Sequence, residues 1–298
     1  MKFTPHGIYT AIITPFDRDA NFDEREFRKL VDFQIDSGIT GLLVAGGSGE
    51  YISLSPAERK HVVEVAIDQA AGRIPVIVGA LSPSTREVQE VARHAQKAGA
   101  AAVLVLPPYY IKPSAAGVVE HFARVAESAS IPIVAYNNPG RTGIALDVSL
   151  LQKLSEIPSI IALKECERDL AVISAKMAAV GTRISIMSGD DDLGFPTFAL
   201  GSPGGIFMSS NLIPAFHRQL LEATKRGQLE LARKAHYALL PLIEALYTLN
   251  HPSPLREAMA LIGRPVGSAR SPLQRGATDA LKRAEAALKT IASFSFDH

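Results

Sequence analysis

Short apolar runs alternate with segments of helical period along most of the chain, and this alternation limits the fold more than any other feature. The runs read GIYTAIITP (7–15), GLLVAGG (41–47), PVIVGAL (75–81), AVLVLPP (102–108), PIVAYNN (132–138), IIALKE (160–165), ISIMSGD (184–190) and GGIFMSS (204–210). Short continuous apolar runs suit strands buried in a parallel sheet. The segments between them look helical. In 23–38, Phe27, Leu30, Val31 and Phe33 or Gln34 share a face, and Gly38 ends the segment. In 55–72, Ser55 is placed as N-cap, Pro56 at the first helical position and Glu58 three residues past the cap, a capping-box signature. Segments 84–99 and 114–130 repeat the pattern. Strand-to-strand spacing is roughly 25–35 residues, the size of one βα unit. About eight such units in a row predict an α/β fold of the (β/α)8 TIM-barrel type. A doubly wound open sheet is the alternative, but it rarely needs this many units.

After residue 226 the strand-like runs stop. Residues 228–249, 253–263 and 271–294 read as helices, with Pro241 expected to kink or break the first. The expected organisation is a barrel over 1–226 and a C-terminal helical extension over 227–298.

With 298 residues, 47% of them hydrophobic and 20% charged, the chain has ample material for one large core. The net charge of +1 comes without any block of like charges, which argues against nucleic acid or an anionic membrane surface as partner. The single cysteine, Cys166, has no disulfide partner within the chain and reads as a small buried filler. The opening MKFTPHGIYTAIITPFDRD is too quickly charged for a signal peptide, and no apolar run approaches the ~20 residues of a membrane span. A soluble cytoplasmic protein is the expectation.

In a barrel of this kind, reacting groups sit where strands run into the following loops. Those positions hold Thr14, Gly46 to Glu50, Tyr109 and Tyr110, Tyr136 to Asn138, Lys164 and Glu165, Gly189 and Asp190, and Ser209 to Asn211. Lys164 is the most telling. It closes the apolar run Ile160 to Leu163, where a strand end points into a crowded cavity with little route to bulk water. The plain alternative is a strand-end lysine that snorkels to solvent. Only about one free lysine in 2,500 is neutral at pH 7. Burial and neighbouring cations can bring such an amine near neutrality at a cost of roughly 3–5 kcal/mol. A neutral amine at such a place suits attack on a ketone to form a Schiff base.

Other motifs are more ambiguous. GGSGEY (46–51) lacks the second glycine of a hydrolase nucleophile elbow and the Gly-Lys-Ser/Thr of a phosphate loop. It reads equally as a turn whose N–H groups and Ser48 hydroxyl hold a carboxylate, or as a plain βα turn. Tyr109 and Tyr110 form either a packing pair at a subunit contact or part of a site. Tyr136, at a strand end beside Lys164 of the next strand, can transfer protons during imine formation and hydrolysis. In SGDDDLG (188–194), Asp190 is expected to be a helix N-cap followed by first-turn acids. None of the eight histidines shows metal-ligand spacing.

The stretches GGSGEYISLSPAER (46–59), PPYYIKP (107–113), AYNNPGRTG (135–143), ALKEC (162–166) and SGDD (188–191) resemble the dihydrodipicolinate synthase / N-acetylneuraminate lyase family, and the resemblance runs from end to end. It implies Lys164 as the lysine that forms an imine with pyruvate or a similar 2-oxo acid, and Tyr136 as the proton shuttle. Ser48 would bind the carboxylate through its hydroxyl and backbone. Tyr110 would reach a neighbouring subunit's site, and Arg141 would hold the carboxylate of an aldehyde substrate. Ile206 lies where the family lets a strand-eight backbone touch the lysine.

Gly47 departs from the synthase pattern. It stands in the substrate-binding turn where a typical synthase has a threonine, the middle member of a tyrosine–threonine–tyrosine relay. The Gly-Gly-Ser-Gly-Glu form is similar to the 5-dehydro-4-deoxyglucarate dehydratase branch, which generally lacks the Arg-Thr-Gly begun by Arg141. The expected activity is therefore a class I Schiff-base lyase, with synthase-like condensation of pyruvate and aspartate semialdehyde ranked first. A 2-keto-3-deoxy sugar acid aldolase or dehydratase ranks second. A non-catalytic 2-oxo acid sensor and a metal-dependent enzyme using Asp190, Asp191 and Glu165 complete the alternatives. The family also implies no cofactor or metal, and a homo-oligomer, dimer or tetramer.

Overall fold

The computed structural model describes residues 3–248 and 250–296. Leu249, at the end of the expected 228–249 helix, lies outside the described residues, as do the first and last two residues of the expected domain ranges. Eight parallel strands close into a barrel in sequence order. They are β1 (Gly7–Ala11), β2 (Gly41–Val44), β3 (Val76–Ala80), β4 (Ala102–Val105), β5 (Ile133–Asn137), β6 (Ile160–Glu165), β7 (Ser185–Ser188) and β8 (Gly204–Phe207). Every residue of β2, β3, β4, β6 and β8 is buried, which explains why their sequences are apolar runs without alternation.

The outer layer follows the same order. It comprises α1 (Glu24–Asp36), α2 (Pro56–Ala70), α3 (Thr85–Ala98), α4 (Ala115–Ser128), α5 (Pro139–Thr142) and α6 (Val148–Leu154). The layer continues through α7 (Leu170–Val180), α8 (Gly194–Ala199) and α9 (Pro214–Lys225). Side-chain caps start many of these helices. Asp23, Ser55, Ser84, Ser114 and Asp147 each accept from a backbone N–H of the first turn. The Ser55–Glu58 capping box forms as expected. Such caps stop the chain cleanly after each strand and keep the preceding loops short.

The extension carries α10 (Leu229–Leu246), α11 (Ser253–Leu261) and α12 (Thr278–Ala292). Of the kink or break expected at Pro241, the break does not occur: α10 runs on through it. Proline removes one backbone bond at a cost of about 3 kcal/mol. The helix buries Leu239, Leu242, Ile243, Ala245 and Leu246 around that point. Each of these leucines and the isoleucine contributes about 1.5–3 kcal/mol, so packing outweighs the lost bond.

The extension is clasped to the first loops of the barrel. Arg256 of α11 donates to Glu50 Oε1 and to Thr14 O, both at 2.8 Å, and to Val266 O at 2.6 Å. Both side chains of the Arg256–Glu50 pair are 1% exposed. Glu50 Oε2 accepts from the Arg270 N–H at 3.0 Å, and the Arg270 guanidinium pairs with Glu58 of α2. Burial dominates both partners of the inner pair, pushing the Glu50 carboxyl up and the Arg256 guanidinium down to about 10. Glu50 itself sits in left-handed backbone at φ 53°. The turn that begins at Gly46 is thus anchored from the far end of the chain.

Candidate active site at the mouth of the barrel

Lys164 on β6 and Tyr136 on β5 are register partners, as are Glu165 and Asn137 one residue on. Successive residues of a strand face opposite sides, so the two pairs separate. Glu165 turns outward, where its carboxylate accepts from Asn137 Nδ2 at 2.5 Å, Lys176 Nζ at 2.8 Å and the Glu167 N–H at 2.8 Å. Lys164 therefore turns inward, and its Nζ lies 4.6 Å from the centre of the Tyr136 ring. Lys164 is only 7% exposed, yet its amine makes no hydrogen bond or ion pair to any described residue. The expected strand-end lysine is thus buried, with no hydrogen bond or ion pair to its amine among the described residues. The wholly buried Lys176 on α7 is its opposite: a lysine fully matched by Glu165.

Around the Tyr136 hydroxyl, Asn138 Nδ2 donates at 2.9 Å and Cys166 Sγ lies at 4.0 Å. Burial is the main cause that raises the phenol above its ordinary value. Cys166 is buried, as expected, and its thiol is the donor of that 4.0 Å contact to the Tyr136 hydroxyl. Asp190 takes the expected N-cap position, with Asp191 and Asp192 as the acids of the short turn Asp191–Leu193, but its side chain makes no capping bond. Its carboxylate instead faces Cys166 and Lys164, with Arg168 Nη1 at 3.6 Å. Burial pushes the Asp190 carboxyl up, Asp192 and Asp191 add to the rise, and Cys166 and Lys164 oppose it. Among the described residues no three His, Cys, Asp or Glu side chains converge as a metal cage would require. The Glu165 and Asp191 carboxylates are instead occupied by protein donors.

The turn from Gly46 is tied by Tyr51 N–H to Gly46 O at 3.2 Å and by the Thr14 hydroxyl to Gly49 O at 2.8 Å. Ser48 is buried, and its hydroxyl makes no bond to a described residue. Gly47 is exposed, and a Cβ built there would meet nothing within 4 Å. Arg141, on α5, is exposed and unpaired among the described residues, and its charge is felt by Tyr136 and by His251. Ile206 is buried on β8 opposite Tyr9. Tyr110 is not brought to Tyr136 within the chain; it is 92% exposed, at φ 72°. Its neighbour Tyr109 turns in and meets the Tyr51 hydroxyl at 2.8 Å.

Sequence reasoning missed what the extension adds. The Tyr247 hydroxyl donates to Asp191 Oδ2 at 2.8 Å, and its ring stacks on His251 at 5.6 Å and 8°. The Asp191 carboxylate also accepts from the Met208 and Ser209 N–H groups and from the Ser209 hydroxyl. His251 in turn feels the charges of Arg141, Asp191 and Lys164. The available signal was an aromatic and a histidine crowded into the polar stretch between two helices, YTLNHPSP.

The dihydrodipicolinate synthetase family matches this chain over residues 4–291. The chain belongs to that family. It is 39% identical over 265 residues to the 4-hydroxy-tetrahydrodipicolinate synthase of Nitratidesulfovibrio vulgaris strain DP4, covering 89% of this chain and 90% of the relative. It is 38% identical over 293 residues to the synthase of Methanopyrus kandleri, covering 98% of each. Among solved structures, the dihydrodipicolinate synthase of Aquifex aeolicus superposes with a TM-score of 0.92 at 34% identity, over 98% of this chain and all of that one. The Acinetobacter baumannii enzyme, solved in complex with pyruvate, gives a TM-score of 0.93 at 30% identity over 96% of this chain and 99% of that one. The TIM-barrel reading and the family resemblance therefore both hold.

Proposed function

We propose that this chain is a Schiff-base lyase that condenses pyruvate with an aldehyde bearing a carboxylate, aspartate semialdehyde in the first instance. The observation that carries the reading is the inward, unpaired Lys164 amine beside Tyr136. The Lys164 amine attacks the pyruvate ketone, and loss of water gives an imine whose nitrogen is the electron sink for deprotonation to an enamine. The enamine carbon then attacks the aldehyde. Tyr136 moves the protons at the carbonyl oxygen. The free Ser48 hydroxyl and the N–H groups of its turn bind the pyruvate carboxylate. Gly47 leaves room there, and the Ile206 backbone lines the far wall. Arg141 takes the carboxylate of the aldehyde, because an exposed guanidinium without a partner is suited to bidentate pairing. The chemistry calls for no organic cofactor. Relatives with the synthase name and a neighbour that binds pyruvate support this assignment.

The exposed Tyr110 suits a contact with a second subunit, so we assign a homo-oligomer, dimer or tetramer, acting in the cytoplasm. Among the described residues no helix is long and apolar enough to cross a membrane.

Gly47 favours one second reading, turnover of a 2-keto-3-deoxy sugar acid through the same imine. The deciding experiment compares pyruvate plus aspartate semialdehyde with 2-keto-3-deoxy sugar acids, in the parent and in Gly47→Thr. The open space at Gly47 accommodates the new side chain. Condensation in the parent, raised in the variant, supports the synthase assignment. Sugar-acid turnover without condensation in either protein replaces it.

A further inference from the structure

The imine chemistry uses one buried lysine and leaves a second without a role. The Lys176 side chain is 0% exposed, and its Nζ meets Glu165 Oε2 at 2.8 Å. A buried ion pair is often no more stabilising than apolar residues of similar volume, so stability alone does not account for it. Its place in the fold is more informative. Glu165 and Asn137 are register partners one residue beyond Lys164 and Tyr136. Glu165 Oε1 accepts from Asn137 Nδ2 at 2.5 Å and from the Glu167 N–H at 2.8 Å. Asn137 Oδ1 accepts from the Leu146 N–H at 2.8 Å, which ties down the far end of the segment carrying Asn138 and Arg141. The outer pair thus backs the inner pair strand for strand.

We propose that Lys176 is a positioning residue for the imine reaction: it keeps the Glu165 carboxylate matched on the outer face of β6, so that the Lys164 amine on the inner face reacts free of that charge. The inference rests on the reading of Lys164 as the imine-forming lysine. Strand alternation puts the carboxylate one residue from Lys164 but on the opposite face. There it orders the strand ends: it holds Asn137, the Glu167 N–H and, through Asn137, the Leu146 N–H. Without a counter-charge it favours the ammonium form of any amine nearby, and an ammonium does not attack a ketone. Lys176 supplies that counter-charge from α7. A leucine or methionine there fills the space but leaves the charge.

The other titratable groups that face the Lys164 amine come from four directions. They are Tyr136 of β5, Cys166 just past β6, Asp190 just past β7 and His251 of the extension. Behind the strands, Asp147 at the start of α6 feels the Lys176 charge, and Cys166 feels that of Glu165. All of these stay in place when Lys176 or Glu165 is changed. When Lys176 is removed, two donors remain on the carboxylate, Asn137 Nδ2 and the Glu167 N–H. Hydrogen bonds of that kind favour its charged form. Lys176 itself lies outside the barrel wall and does not touch the substrate.

The test uses pyruvate alone, so it does not depend on the second substrate. Lys176→Met, Glu165→Gln and the double variant are compared with the parent. The rate at which borohydride-trappable pyruvate appears on Lys164 is followed across neutral and alkaline pH, with a thermal melt of each protein alongside. In Lys176→Met the rate at neutral pH is expected to fall roughly tenfold, its rise with pH lying roughly one unit higher, as for a unit charge on the order of 10 Å away at an effective dielectric of about 20. Glu165→Gln leaves the outer ammonium unmatched and is expected to move the profile the opposite way. The double variant removes both charges and is expected to return the profile to the parent position, whatever its melting temperature. Loss of packing alone does not displace the two single variants in opposite directions. Should Lys176→Met not fold, Glu165→Gln against the double variant makes the same comparison. Single-variant profiles at the parent position overturn the proposal, as does a double variant displaced further than either single one. A parent that traps no pyruvate on Lys164 is a separate result, which removes the imine reading and this role of Lys176 with it.

Discussion

The Lys164 amine rests over the face of the Tyr136 ring, 4.6 Å from its centre, and the two residues are paired across neighbouring strands. The barrel's hydrogen-bond register thus sets their relationship. In the proposed reaction a carbon attached to Nζ would lie close to the phenol, and imine formation and proton transfer would share one location.

Lys164 is the residue that pyruvate and borohydride should label. Peptide mapping by mass spectrometry is expected to find one reduced pyruvyl group, on the peptide containing Lys164. Label on another lysine, or on none, rejects the assignment. Lys164→Arg should lose turnover completely, because the guanidinium stays charged and forms no imine.

Tyr136→Phe keeps the ring under the Lys164 amine and removes only the hydroxyl. The expected loss in kcat is roughly 10²- to 10⁴-fold, with a melting temperature near that of the parent. A kcat close to the parent value would return Tyr136 to packing alone.

Arg141→Ala should weaken binding of a carboxylate-bearing aldehyde by about 2–5 kcal/mol, seen as a raised KM. Trapping of pyruvate on Lys164 should be little changed. A KM unaffected for every aldehyde tested argues that the second carboxylate is held elsewhere.

Arg256→Met leaves the buried Glu50 carboxylate without its partner. Breaking such a pair by removing one member costs about 3–5 kcal/mol. Urea titration should show that loss, and Arg256→Met with Glu50→Gln together should recover part of it. Equal stability of the single and double variants would mean the carboxylate is satisfied by Arg270 alone.

Three histidines give the protein a pH dependence of known sign. Burial holds His121, His217 and His251 down to about 4 from 6.5, with Arg141 and Lys164 adding to the effect at His251 and Asp191 opposing it at His217 and His251. Between pH 6.5 and 4 the unfolded chain binds more protons than the folded one, so stability falls as pH falls through that window. Below about 4 the contribution levels off. Each histidine is worth on the order of 1–3 kcal/mol across the window. Thermal melts of His121→Gln and His217→Gln should show a shallower slope there; an unaltered slope rejects the assignment.

The barrel was legible because buried parallel strands leave a pattern that few other structures produce. Lys164 and Tyr136 were legible for the same reason, as polar residues at the ends of apolar runs. Asp190 was legible as an N-cap position but not in what its carboxylate does, because an acid at a strand end before a turn looks the same whether it caps or faces a cavity. That α10 continues through Pro241 was not legible, because the apolar face that holds the helix together counts only once its partners are known. Tyr247 and His251 were missed because nothing local records that a segment beyond α10 returns to the mouth. Lys176 was hidden by its type: a lysine on a helix reads as surface until Glu165 appears beside it.

The clasp on Glu50 also bears on synthesis. Arg256 lies 206 residues after Glu50, and the Arg270 N–H that completes the clasp lies 220 residues after it. Contacts this distant form late, since the intervening chain must be ordered first. A ribosome that has released all eight strands has therefore released a barrel whose turn from Gly46 to Glu50 is still unanchored. The turn receives its counter-charges only after Arg256 and Arg270 have followed the last strand out of the exit tunnel, so its anchoring comes after every strand of the barrel has been made.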